Sequence, residues 1–329
     1  MTSSGNTVPP LIPDASPSQV AAIHGAMRAV AETGALASEA DRHAITSAGR
    51  YLFGHENTGF DAIAPVAPQA LVSALSGSRL GEDAAKFLTV MALVDGTLDK
   101  AKIASVLRYA QALGLHERYL DDIAAAAADR LQEALADMTR SNMESITGRS
   151  WGGGDINKWL LPYGDGRADA ALTARYAVLE RLAPDTFGHV FWAHFKDNSY
   201  TFPGDPTALN AAFSVPHDSA HVLSGYDTTP RGELLVSTFT AAMHPRYPMA
   251  GHVLPVIFSW HLKVQINAVA KDAAGALDPN EFWHAWAGGA AATVDTFAPG
   301  WDFWAYVEVP LRALRAQWSI PAEGLDAQA

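Results

Sequence analysis

The residues best suited to chemistry in this 329-residue chain lie in one stretch. It runs Val215-Pro216-His217-Asp218-Ser219-Ala220-His221-Val222-Leu223-Ser224-Gly225-Tyr226 and continues Asp227-Thr228-Thr229-Pro230-Arg231-Gly232-Glu233. His217 and His221 are four residues apart, so on a helix they stack on one face. That spacing lets two imidazoles share one metal ion. Pro216 suits a first helical turn, Gly225 a helix end, and Pro230-Arg231-Gly232 a change of direction. Glu233 then opens a new helix that can fold back antiparallel and offer a carboxylate to the same ion. Two His and a carboxylate from adjacent helices form a usual set for zinc or non-haem iron, with positions left for water or substrate. Asp218 holds the place of the general-base Glu in HExxH. The residues leave three roles open for it: fourth ligand, partner that fixes a His tautomer, or proton acceptor. Zinc, iron, manganese and cobalt all suit such donors.

These residues need helices to position them, and helical windows are frequent: Gln19–Glu32, Asp41–Phe53, Pro68–Leu75, Asp83–Val94, Asp99–Leu113, Glu117–Ser141, Asp169–Leu182 and Glu233–Ala242. Alternating β-branched runs are few, and no Asn-Gly or Asp-Gly hairpin joins two of them. The expected fold is all-α with two helical domains. A Pro-rich polar tail over residues 1–18 precedes a domain at 19–145, and a metal-binding domain follows at 165–329. All nine Trp and eight of the twelve His lie beyond residue 150. Glycines at 152–154, 164 and 166 mark the break between the two parts.

Composition narrows the partners. The net charge is −12, which repels nucleic acid and anionic lipid. The absence of cysteine excludes disulfides, thiolate metal sites and thiol nucleophiles. No run is long and apolar enough for a membrane helix, and the N-terminus lacks a secretory pattern. A cytoplasmic location is expected, with peripheral membrane contact and a homo-oligomer left open. No glycine-rich nucleotide loop is present. Gly148-Arg149-Ser150-Trp151-Gly152 matches GxSxG but lacks the strand that such an elbow needs.

In the first part, an apolar helix ends at Asp95-Gly96, a new helix is capped by Asp99, and Leu113-Gly114-Leu115 closes it. This resembles the tellurite-resistance TerB-like family over residues 20–140 and implies a scaffold or docking domain without chemistry. Asp95 and Asp99 read as turn and cap, since no further acid follows in a calcium-loop register. His24, His43, His55 and His116 read as surface or packing residues.

His217-Asp218-x-x-His221, eleven residues, then Glu233 resembles the HDxxH-x11-E signature of the ubiquinone (coenzyme Q) biosynthesis Coq family that acts on ring carbon 1. Gly188-His189-Val190-Phe191-Trp192-Ala193-His194-Phe195, Asp197-Asn198 with Phe202-Pro203, and Gly232-Glu233-Leu234 resemble its surroundings, over about residues 170–265. The resemblance implies one divalent metal held by His217, Asp218, His221 and Glu233, and a hydrophobic tunnel for a prenylated ring. It also implies association with lipid surfaces or partner enzymes. The implied activity is oxidative decarboxylation, with hydroxyl replacing a ring carboxylate. The loop at Thr201-Phe202-Pro203-Gly204 differs from the family's, and the Trp-rich C-terminal part does not align with it.

Phe191, Trp192, Phe195, Phe213, Phe239, Met243, Phe258 and Trp260 are candidates to wall a pocket for an aromatic or isoprenoid molecule, or else to form core. His194, Trp192, Arg231 and Phe239 are the candidate substrate contacts. Arg231 and Arg246 suit a substrate carboxylate or a prenyl phosphate, or surface ion pairs. His189 and His194 suit proton shuttling or packing. His244 and His252 flank Pro245–Pro248 and read as loop residues. Two other functions compete. A metal-dependent phosphohydrolase would need His189 and a downstream Asp such as Asp295. A non-catalytic scaffold would carry an isoprenoid lipid beside a structural metal.

Overall fold

The computed structural model describes residues 8–55, 59–266 and 273–321. Fifteen α-helices form among them: α1 (Pro17–Ala31), α2 (Glu39–Phe53), α3 (Pro68–Leu75), α4 (Leu80–Met91), α5 (Lys100–Ala112), α6 (Arg118–Ala127), α7 (Leu131–Thr147), α8 (Ile156–Leu160), α9 (Ala170–Ala177), α10 (Phe187–Asp197), α11 (Ala211–Ser224), α12 (Pro230–Met243), α13 (Leu254–Val256), α14 (Pro279–Ala291) and α15 (Leu311–Gln317). No strand forms among the described residues; only the isolated bridges Thr186–Pro310 and Leu262–Ala274 occur. The protein is all-α, as its hydrophobic periodicity implies. No helix among the described residues is long and apolar enough to cross a membrane.

Local signals account for the ends of these helices. Ser16 and Ser38 each close a capping box with the residue three positions on, Gln19 and Asp41. Asp99 caps α5 by accepting from Ala101 and Lys102 amides at 2.7 and 3.2 Å. Asp95 is occupied by Thr97 and by Lys102, whose Nζ is 2.6 Å away and also meets the buried Asp41 at 2.9 Å. The Asp95–Asp99 turn therefore serves packing, and Lys102 ties α5 to α2. The expected single helix over Glu117–Ser141 divides into α6 and α7, because Asp129 adopts φ of 62°. A left-handed residue breaks the helical hydrogen-bond ladder.

Two hydrophobic clusters form. The first joins α1 to α7 with Leu234, Leu235, Val253, Leu254, Phe258, Phe282, Trp283 and Trp286. The second joins Phe187, Phe191, Phe195 and Phe202 with Val222, Phe239, Phe297, Phe303 and Leu314. The first cluster thus draws on both sides of the 145–165 segment. Trp283 seals it, fully buried, with its indole N–H donating to the Ala44 carbonyl at 2.9 Å. Helix α12 belongs to both clusters and is the element on which the site is built.

Residues 1–7 of the expected tail lie outside the described residues. The part from residue 8 to 16 departs from a loose tail. Leu11 and Ile12 amides donate to the Tyr51 and Leu52 carbonyls at 3.0 and 2.7 Å, and both side chains pack on the first cluster. Partial burial of Leu11 and Ile12, together with the two backbone hydrogen bonds, offsets part of the chain entropy lost in ordering the segment.

His24 gives the first cluster a pH response. Its ring is buried edge-on against Phe53, and burial, with a smaller effect from His55, pushes its pKa down to about 4. The unfolded chain takes up this proton near pH 6.5, so stability falls as pH drops from 6.5 towards 4. Going from pH 7 to 5 is expected to cost about 2 kcal/mol through this group. Urea melts of wild type and His24→Leu at both pH values check it. An equal pH response in the two proteins would remove His24 from the account.

Candidate metal centre

Helix α11 carries the two histidines. Asn210 caps it by accepting from the Ala212 amide at 3.0 Å. The helix begins at Ala211, five residues before the start expected from Pro216, and Pro216 lies inside it. The Asn210 cap and burial of Val215 sustain the extra turn, even though Pro216 cannot donate to Ala212. Gly225, with φ of 82°, ends the helix and turns the chain back, and the Tyr226 carbonyl then lies 2.9 Å from His221 Nδ1. A carbonyl only accepts, so Nδ1 carries the proton and the neutral ring keeps its lone pair on Nε2.

Helix α12 begins four residues beyond Tyr226. Asp227 Oδ1 accepts from the Thr229 amide and hydroxyl at 3.0 and 2.6 Å, and Thr229 accepts from the Gly232 amide at 3.2 Å. Glu233 follows in the first helical turn, where the helix dipole favours a carboxylate.

The donor atoms converge. His217 Nε2 is 3.2 Å from His221 Nε2, 3.4 Å from Glu233 Oε2, and Glu233 Oε1 is 3.6 Å from His221 Nε2. One ligand atom from each of His217, Asp218 and His221 lies within 4.8 Å of the others. This trio is a group able to hold a metal ion. Two atoms bound to one ion at zinc–nitrogen distances stand about 3.3 Å apart at a tetrahedral angle and about 2.9 Å apart at a right angle. The observed separations match such edges. With Nε2 of His221 bare and two carboxylates adjacent, the set is short of positive charge, and a divalent cation fits it.

The neighbouring groups order the ligands. His194 Nε2 is 3.2 Å from Asp218 Oδ1, and its ring stacks on His221 with centroids 5.4 Å apart. Phe213 stacks on His217 at 5.1 Å. Burial acts to raise the Glu233 carboxyl, but the His217 and His221 rings, whose Nε2 atoms lie 3.4 and 3.6 Å away, outweigh it and hold the group well below the usual carboxylate range. Burial acts to lower His217, and the hydrogen bond and charge of Glu233 reverse that and raise it. A proton on His217 Nε2 lies between His221 and Glu233, where a cation would displace it. Replacing His194 by Ala is expected to weaken zinc binding about 10- to 100-fold by freeing Asp218 to rotate. Zinc titration of the two proteins checks this, and an unchanged affinity would leave His194 a packing residue.

The cluster opens into a cavity of about 620 Å³. His217, Asp218 and Glu233 line it, with Phe195, Phe213 and Trp260 among its aromatic residues. Phe191, Phe239, Met243 and Phe258 are core instead. The structure does not bring three expected substrate contacts to the cavity. Arg231 sits on the surface and pairs with Glu281, because it precedes Glu233 by two residues and so points elsewhere on the helix. Phe239 is buried against Gly288 and Gly289 of α14. Trp192 lies against His189, away from the cavity wall. Of the four, His194 alone reaches the site, through Asp218. Arg246 donates to the Gly148 carbonyl at 2.7 Å and also misses the cavity.

Several residues of the site carry no sequence signal of function. Met138, Thr139, Asn142, Met143 and Ile146 of α7 form part of the wall, so the part expected to be without chemistry shapes the cavity. Their i, i+4 spacing was visible, but marks any buried helix face. His244 and His252, expected on a loop, are buried with rings 5.9 Å apart, because residues 248–253 form a π-helical turn packed on α7 and α12. His189 bonds to the Glu180 carbonyl at 3.1 Å and Asp295 to His244 at 2.8 Å. The ligands that a phosphohydrolase would add to His217 and Asp218 are thus engaged elsewhere. The GxSxG match falls on the left-handed cap Gly148 and the loop after α7, with no strand before it.

No described protein family and no curated protein matches the chain. Among solved structures, the chain is similar to a protein of Nostoc punctiforme PCC 73102 described as a "Putative ubiquinone biosynthesis protein". That alignment covers 61% of this chain and 94% of the other, at 19% identity and a TM-score of 0.32.

Proposed function

We propose that the protein is a metal-dependent enzyme acting on a hydrophobic aromatic or prenylated molecule that carries an oxygen donor group. The carrying observation is the convergence of His217, His221 and Glu233 at ligand-edge distances beside Asp218, at the wall of a largely apolar cavity. His217, Asp218, His221 and Glu233 would hold one divalent ion. When bound, that ion supplies Lewis-acid stabilisation of charge on a substrate oxygen.

The chain's own groups do the rest. Tyr226 fixes the tautomer of His221, and His194 orients Asp218. Phe213 and Trp260 offer apolar surface that keeps water from the ring. The reaction most in keeping with the HDxxH-x11-E pattern is replacement of a ring carboxylate by hydroxyl. The balance is ArCOOH + O2 + H2O → ArOH + CO2 + H2O2, with dioxygen taking the two electrons.

Elemental analysis of purified protein tests the centre, and labelled carbon dioxide release from carboxyl-labelled, prenylated hydroxybenzoates tests the reaction. About one metal per chain with release of label supports the proposal. Protein that takes up no divalent metal sinks it. Metal without turnover, but with a co-purifying isoprenoid, would favour a lipid-carrying scaffold.

A further inference from the structure

The cavity has a second polar feature, built from residues other than the proposed ligands. After α12, Tyr247 adopts φ of 50° and ψ of 50°, and Pro248–Val253 wind as a π-helix. Left-handed non-glycine residues and π-helical turns both cost energy and recur at functional sites. Helix α7 holds this segment closely. A side chain at Gly251 would stand 3.1 Å from the Ser141 carbonyl oxygen. Asn142 Nδ2 donates to the Gly251 carbonyl at 2.7 Å, and Ser145 donates to the Arg246 carbonyl at 2.8 Å.

His252 is the residue this arrangement presents. It is 6% exposed and lines the cavity together with His217, Asp218 and Glu233. Its Nε2 lies 2.7 Å from Ser145 Oγ. Ser145 has one proton, and the Arg246 carbonyl can only accept it. Both contacts are satisfied when Ser145 donates to Arg246 and His252 Nε2–H donates to Ser145. Nδ1 is then left as a bare acceptor. Burial, and after it the neighbouring His244 and His217, push the His252 pKa down to about 3, so the ring stays neutral. Phe297 packs against the same ring at 5.9 Å and also lines the cavity.

The same wall holds two hydroxyls without partners. Thr240 and Ser214 are 2% and 3% exposed, line the cavity, and their oxygens make no hydrogen bond among the described residues. Ser214 lies one turn before His217 on α11, and Thr240 two turns beyond Glu233 on α12. Leaving a buried hydroxyl unpaired is unfavourable, and a ligand's polar group would offset that.

We propose that His252 determines specificity in this cavity, its Nδ1 accepting a hydrogen bond from a hydroxyl on the ring of the substrate whose oxygen donor reaches the His217–Glu233 end. The hydroxyls of Thr240 and Ser214 extend the same polar wall. The inference rests on the cavity being the substrate cavity of the proposed metal centre.

The test uses full-length protein, zinc-loaded and metal-free, with benzoates as probes. Calorimetry compares 3- and 4-hydroxybenzoate and 4-hydroxyphenylacetate with their methyl-for-hydroxyl counterparts. At least one hydroxylated probe is expected to bind wild type about 10-fold tighter than its counterpart, the worth of one good hydrogen bond to a buried acceptor. His252→Leu should abolish that preference while leaving binding of the methyl probe within about 3-fold. His252→Asn, whose amide oxygen replaces Nδ1, should restore most of it. Nitrogen-15 NMR of wild type should show protonated Nε2 and bare Nδ1 at pH 7. No hydroxyl preference in wild type, a preference that survives in His252→Leu, or a protonated Nδ1 would each overturn the role of His252. Zinc content separates the two ideas. Protein that takes up no zinc yet still prefers hydroxyl probes defeats the metal centre and keeps His252. Zinc-loaded protein without the preference does the reverse.

Discussion

Replacing His221 by alanine is expected to remove bound metal and, with it, turnover, lowering the rate about 10³-fold or more. His221 has the most buried side chain of the four proposed ligands, at 1% exposure. Its Nδ1 is fixed by Tyr226, and its Nε2 stands 3.2 Å from His217 and 3.6 Å from Glu233. No other side chain can supply that lone pair from the same position. Metal content by elemental analysis and label release from the carboxylated probe are the two readings. Circular dichroism checks that the helices persist. His189→Ala is the control, since its ring bonds to the Glu180 carbonyl and does not line the cavity. Full metal occupancy in His221→Ala would end the metal-centre reading.

Gly232→Ala should do comparable damage from outside the donor set. A Cβ at Gly232 would overlap the carbonyl and carboxylate oxygens of Asp227. Those oxygens cannot retreat freely, because Asp227 Oδ1 is engaged by Thr229, the cap of α12. The first turn of α12 must therefore shift, and Glu233 moves with it. A loss of about 2–4 kcal/mol in stability is expected, in the range of steric overpacking at a closed site. Zinc affinity should fall at least about 10-fold, since a ligand displaced by a fraction of an ångström no longer meets the ion. Gly152→Ala, with nothing within 4 Å of the added atom, should change neither quantity. Urea melts and zinc titrations decide it. A Gly232→Ala protein indistinguishable from wild type would mean that Glu233 does not depend on this turn.

Much of the helical pattern was legible before the structure. Pro68–Leu75 has the expected bounds, and the windows at α1, α2, α4 and α5 are within three residues of the observed starts and ends. These segments combine a capping residue with a regular apolar face, and both signals are local. Helix α14 was not legible. Gly288-Gly289 suggests a loop, yet both lie in the helix, and a side chain at Gly289 would overlap the Phe239 backbone of α12. Close packing of two helices demanded glycine there, and sequence shows the glycine without its partner. Asp129 misled in the opposite way, since its neighbours are helix formers and its left-handed backbone breaks them apart.

The site divides along the same line. The His217–His221 spacing, the Gly225 helix end and the restart before Glu233 are local events, so the sequence by itself determined that these donors could meet. It also determined an all-α chain without thiols. The tertiary structure alone decided what surrounds the donors. It brought His194 to Asp218 across 24 residues and wound His252 into a π-helical turn on α7. It sent Arg231 to Glu281 and Phe239 to α14. Local structure follows from hydrogen bonds and side-chain directions within a few residues. The faces that meet across the fold are chosen by how much apolar surface each pairing buries, a quantity that exists only once all the helices are packed together.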